Sequence, residues 1–500
     1  ETTSAVATGE VTSQVTGAQA VVTPTPNPLV ALYSVPPSSA ATVFVQFRKV
    51  GAGEPWRNTD ARPVVPRTST NVFVAGLLPN TAYEMRHVAS DGTGSAPVAF
   101  TTGALPTALG FPTYTASLPP GPGGDTAQDM IFHQSARSPN VIPNPFTTDL
   151  RGRVTWYYDP IGSGLSYSFP IQSLVAGGTV LLAGTDAYPP LPNSRNVLRE
   201  VDLAGNPLRE TNLAAINAQL TALGHPDVVH SFTNDVRRLP DGRTAAIGIT
   251  ERTVSVNGTP TDYIGMSVVV LDADFRVAWA WNGFDHMDVG RPPVLGEVVQ
   301  ANSTGPTNAA PRLPAVDWLH INAVSLAPDG NLVLSIRHQD WVVKVDYRNA
   351  AGDGHVIWRL GRGGDFSVNS SGPNPWFSHQ HNAHFIDAHT LILLDNGNSR
   401  QATDPAAHSC GQVWTINERA MTATPVLDVD LGGVRRGRGG GPASVEWELR
   451  VHAGDHRPGT APPAGAPHRG DPGRKQGSRP RGGQDGVPLV PGANALRGGR

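Results

Sequence analysis

Apolar and polar positions alternate along most of this chain in short runs broken by tight turns, which predicts strands rather than helices. Three stretches share one layout, in which a histidine-bearing segment is followed by a turn and an apolar strand. They read HSFTNDVRRLPDGRTAAIGI from His230, HINAVSLAPDGNLVLSI from His320 and HQHNAHFIDAHTLILLD from His379. Closing strands such as MSVVVLDADFRVAWAWNG and VVKVDYRNAAGDGHVIWRLG follow, and PDG at 240–242 and 328–330 supplies the hairpin turns. Units of several short strands, recurring at intervals of roughly 60–90 residues, predict the blades of a β-propeller. The innermost strands of such a fold line its channel, so histidines far apart in sequence would meet there.

Upstream, residues 1–25 read as a leader or edge segment, and 26–105 as a small β-sandwich. ATVFVQFRKVG alternates as a strand, and Leu78-Pro79-Asn80-Thr81-Ala82-Tyr83 has the pattern of the tyrosine corner of fibronectin type III domains. A Pro/Gly linker occupies 106–125 and ends in LPPGPGGD, and the propeller is expected over 126–433. The stretch Asn212–Leu223 is compatible with a helix on a surface loop.

Composition sharpens the picture at the C-terminus. With 55 Gly, 46 Pro and only 16% charged residues, the chain as a whole favours turns and strands. After about Gly433 the strand pattern stops. Residues 436–500 contain no Ile, Phe, Tyr, Met or Cys, and carry eleven Lys/Arg against five Asp/Glu. Such a segment buries too little apolar area to offset the entropy of ordering, so 434–500 is expected to be disordered. A reading-frame error that replaces a final blade is the preferred explanation. The net charge of −3 argues against a nucleic-acid partner, and no apolar run reaches the ~18 residues of a membrane span. Cys410 is the lone cysteine and is expected to be inert.

The chemistry-bearing residues gather in the repeated segments. In Asp317-Trp318-Leu319-His320-Ile321-Asn322-Ala323, strand alternation would put Trp318, His320 and Asn322 on one face. LVLSIRHQDWVVKVD adds Arg337 and His338 about 16 residues on, and Trp376 to His384 is the densest imidazole cluster. His230 opens the first of the three stretches, with His225 as its competitor. Imidazoles, an amide and a guanidinium around one channel suit an oxyanion. Two other readings stand beside this one. One is a metal enzyme with ligands at His379, His381 and His384. The other is a binding protein without catalysis.

VDWLHINAV, SIRHQ, QHNA and DNGNSR, in that order, resemble the bacterial aryl-sulfate sulfotransferases that use no nucleotide sulfate donor. The resemblance covers about 20–105 and the following region to about 432. It implies an all-β chain: an N-terminal fibronectin III-like β-sandwich used in dimerisation, then a six-bladed propeller whose last blade is missing or disrupted here. It also implies sulfuryl transfer from a phenolic sulfate to a phenolic acceptor, by a ping-pong route through a sulfohistidine, with no cofactor and no metal. Carried over by motif, His381 matches the nucleophile, and His320 and Arg337 match sulfuryl-binding groups. His230 matches a first channel histidine, while Asn322 and Trp318 stand beside them as substrate-binding candidates. Periplasmic or secreted localisation, after removal of a signal peptide, rests on this resemblance alone. The short disulfide loop of many family members has no counterpart, because Cys410 has no partner.

Overall fold

In strand Thr42–Lys49 buried and half-buried positions alternate, with Val43, Val45 and Phe47 turned inward as the sequence pattern requires. The computed structural model describes residues 15–431 except 16, 52, 117–129, 134–143, 166, 176–178, 186–195, 257, 300–313, 373, 402, 403, 405 and 406, together with Leu496–Arg497. The described chain is mostly β-strand with few helices, and none of those helices is long and apolar enough to cross a membrane. The expected linker LPPGPGGD and nearly all of the expected disordered tail lie outside the described residues.

Two antiparallel sheets form the N-terminal part, one from Val21–Pro24, Ala31–Val35 and Thr70–Val74, the other around Thr42–Lys49, Ala82–Ala89 and Val98–Thr101. Both contribute to a single core that includes Tyr33, Val45, Phe47, Val74 and Met85. The buried hydroxyl of Tyr83 accepts a hydrogen bond from the Leu78 amide at 2.9 Å, so the corner motif closes as its sequence suggests.

Five further sheets follow in chain order from Met130 to Asp430. The last three each have one of the histidine-led opening strands at an edge, Ser231–Arg238, Ile321–Leu326 and His381–Phe385. Each of these opening strands carries a register shift against its neighbour, between Phe232 and Val236, Ile321 and Ala323, and His381 and His384. An asparagine sits at each shift and faces an adjacent sheet. Asn234 Nδ2 donates to the Ile321 carbonyl at 2.7 Å, and Asn322 Nδ2 to the Gln380 carbonyl at 2.6 Å. Asn382 Oδ1 accepts from Arg237 at 3.2 Å, so the three opening strands are tied to one another. Segment Ala315–Asp317 runs parallel to Thr259–Leu271, with Asp317 opposite Ile264, and this delivers the chain to His320.

The helix expected near 212–223 forms over Leu213–Ala222, capped by Asn212 Oδ1 accepting from Ala215 N at 2.9 Å. It does not ride on an open loop. Leu213, Ile216 and Leu220 are buried in a core shared with Val229, Phe232 and Phe275.

Candidate active site

Four residues at the mouth of these sheets hold left-handed backbone: His320 (φ 52°), Asp340 (φ 52°), His379 (φ 50°) and Asn382 (φ 53°). Such a conformation costs about 1–3 kcal/mol for a non-glycine residue and persists only where its surroundings fix it. Here the surroundings are explicit. Arg337 N donates to the His320 carbonyl at 3.2 Å and His338 N to that of Leu319 at 3.1 Å. His379 N donates to Asp340 Oδ1 at 2.7 Å.

The strained loops bring His320, Arg337, His338, His379 and His381 together. The rings of His320 and His338 lie 4.4 Å apart, and those of His338 and His379 5.6 Å apart. Three carboxylates from separate segments support them. His320 Nδ1 lies 2.9 Å from Asp317 Oδ2, and His379 lies between Asp340 (Nδ1, 2.7 Å) and Glu297 (Nε2, 2.5 Å).

Partner chemistry fixes the ring protons. Both His379 nitrogens face carboxylate oxygens, which only accept, so both carry hydrogen. Burial opposes that charge, yet the bonds to Asp340 and Glu297 outweigh it and hold the His379 pKa above the ordinary imidazole value. His338 is the opposite case. Its Nδ1 meets the Asp317 carbonyl at 2.6 Å and must donate, while its Nε2 meets Arg337 Nη1 at 2.5 Å and must accept. Burial, which outweighs the neighbouring Asp317, keeps it neutral, well below the usual pKa. Asp317 is driven below the usual carboxylate range: burial opposes this, but His320, His338 and Arg337 together prevail.

His381 opens its strand half-buried. Its Nδ1 lies 3.3 Å from the His379 carbonyl and 3.0 Å from Asn396 Nδ2. Nε2 has no partner among the described residues. Burial first, then the charges of Arg337 and His320, push its pKa well below 6.5, so the ring is neutral at neutral pH. Arg337 is only 4% exposed and reaches His338 and Asn398.

The structure therefore brings together His381, His320 and Arg337, with Asn322 strapping the strand of His320 to Gln380. Three expectations need correction. His320 does not share a strand face with Trp318 and Asn322, because its positive φ places it before the strand and interrupts the alternation. Trp318 is wholly buried against Phe284 and Tyr263, its Nε1 donating to the Arg291 carbonyl at 3.0 Å, so it packs the loop rather than walling a site. His230 precedes strand Ser231–Arg238, with its backbone N–H on Ile249 O at 2.8 Å, and no described contact ties its ring to the cluster.

The triad His379, His381 and His384 does not converge. Among the described residues the groups with metal-ligand proximity are instead Glu297–His338–His379 and Asp317–His320–His338 at the site, and Asp346–Asp353–His355 elsewhere. Both nitrogens of His338 and of His379 are already engaged by hydrogen bonds, His320 Nδ1 is held by Asp317, and Arg337 adds a fixed positive charge beside His338. Sequence reasoning missed Glu297, Asp317, Asp340 and Asn396. Asp317 had a readable signal, standing three residues before His320, whereas Glu297 reaches the site only through tertiary folding.

A family profile described as Arylsulfotransferase (ASST) matches residues 123–435. No curated protein matches the chain. Among solved structures, two of the α-L-arabinofuranosidase Arb93A from Fusarium graminearum, both in complex with an iminosugar inhibitor, align at 11% identity and TM-score 0.31. They cover 72% and 77% of this chain, and 90% and 93% of their own.

Proposed function

The chain belongs to the arylsulfotransferase family, and from that premise we propose that it moves a sulfuryl group from a phenolic sulfate ester to a phenolic acceptor through a sulfohistidine on His381. The observation that carries this reading is a neutral imidazole with a free Nε2, set beside a buried guanidinium. Sulfuryl transfer resembles phosphoryl transfer, with a loose in-line transition state and charge spread over equatorial oxygens. Arg337 offers fixed donors to those oxygens. A covalent N–S intermediate divides the reaction into two displacements and gives ping-pong kinetics. In the same reading the successive sheets are propeller blades, the N-terminal sheets are a dimerising sandwich, and the protein works in the periplasm or outside the cell.

The test pairs a chromogenic aryl sulfate with phenol, without nucleotide donor, in wild type and His381→Ala. Phenol-dependent release that falls by roughly 10³–10⁶-fold in the variant supports the nucleophile assignment. Equal release by both proteins refutes it.

A further inference from the structure

Displacement at sulfur needs a proton for the departing phenolate and a base for the incoming phenol. Five imidazoles stand in or near the site, and their engaged nitrogens decide which can serve. His338 spends Nδ1 on the Asp317 carbonyl and Nε2 on Arg337. His379 spends both nitrogens on Asp340 and Glu297. His384 Nδ1 is engaged by the Asn382 carbonyl at 2.9 Å, and no described contact joins its ring to the other imidazoles. His381 is the proposed nucleophile. His320 alone keeps a free nitrogen beside it: Nδ1 is held by Asp317 at 2.9 Å, and Nε2 has no partner among the described residues. Its side chain is 33% exposed, open to an entering phenol, while Asp317 at 14% is largely covered.

We propose that His320 is the proton shuttle of the transfer and that Asp317 is its positioning residue. The inference rests on the sulfotransferase reading and adds the group that makes poor phenolate leaving groups usable. Asp317 accepts the Nδ1–H, fixes the ring plane and leaves Nε2 to exchange the proton. In the first half-reaction the His381 Nε2 lone pair forms the N–S bond. The S–O bond breaks with its electron pair on the phenolate oxygen, which takes the proton from His320 Nε2. In the second, the acceptor phenol returns a proton to His320 Nε2 as its oxygen attacks sulfur. The N–S bond then breaks with its electron pair on His381. Asp317 is held on the other side by its backbone, since its carbonyl accepts from His338 and its N–H donates to the Glu297 carbonyl at 3.0 Å.

Leaving-group dependence tests this, because a structural defect lowers all substrates alike whereas a lost general acid penalises basic phenolates. kcat/KM is measured for aryl sulfates whose phenols span pKa about 7 to about 10, in wild type, Asp317→Asn and His320→Ala. The expected loss is under about tenfold for the most acidic phenol and about 10²–10⁴-fold for the least acidic. Added imidazole should restore His320→Ala selectively toward the poor leaving groups, a readout that survives if Asp317→Asn folds badly. A uniform loss across the series, with no imidazole rescue, overturns the shuttle and leaves the sulfotransferase reading intact. A wild type that releases phenol from none of the esters overturns both.

Discussion

At the scale of single residues, the site is governed by which groups are allowed to charge. His381 must be neutral to attack sulfur, and burial with the charges of Arg337 and His320 depresses its pKa. The active form exists above that pKa, so kcat/KM should persist as pH falls through 6.5 and decline only well below it. Replacing Arg337 with Gln removes one of the depressing charges, so the acid limb should move to higher pH while the rate drops by about 10²–10³-fold. A pH–rate profile of both proteins checks this, and an unmoved limb would mean that His381 does not titrate in it. The histidines and Arg337 were legible because short motifs carry them. The carboxylates were not, since Glu297 and Asp340 reach His379 from 82 and 39 positions away and no spacing rule links them.

Among elements, alternation read the strands well, but it failed where the strands are bent to serve the site. The shifts at Asn234, Asn322 and Asn382 turn side chains off the period-two pattern, and the left-handed backbone of His320, just before its strand, takes that ring off its expected face. The asparagines are straps that hold successive opening strands in register. Asn322→Ala removes the shorter of two bonds to the buried Gln380 carbonyl and leaves it only the Ser335 hydroxyl at 3.4 Å, at a cost of about 1 kcal/mol. Denaturant unfolding should show that loss, and activity should fall with it because Gln380 adjoins His381. Gly361 makes a related point. At φ 137°, a Cβ there would lie 2.2 Å from the Asp340 carbonyl, so Gly361→Ala should displace the loop that holds His379. Loss of stability in Gly361→Ala, measured by thermal melting, is the expected result.

Across the whole molecule, the titrating groups pull stability in opposite directions with pH. His133 stacks between Tyr114 and Phe146 at 4.9 and 4.7 Å, and burial lowers its pKa to about 4. His338 and His381 are depressed as well, chiefly by burial. A histidine whose folded pKa lies below its unfolded value adds stability above the unfolded value, and that stability is lost as pH falls through the window toward the folded one. Asp317 acts in the same sense at lower pH. His379 opposes them, since its raised pKa contributes below the unfolded value and is lost as pH rises. With His87, His230 and His286 also lowered by burial, six depressed histidines against one raised predict a melting temperature that falls from pH 7 toward pH 4. Part of that fall should vanish in His133→Phe, which keeps the stack without a titrating ring. Comparing the two melting curves over this range decides it: parallel curves would show that His133 is protonated in the folded protein at no cost. The aromatic stack was invisible in the sequence, because His133 and Phe146 are brought opposite each other only by the pairing of their two strands, and Tyr114 joins them from a separate segment.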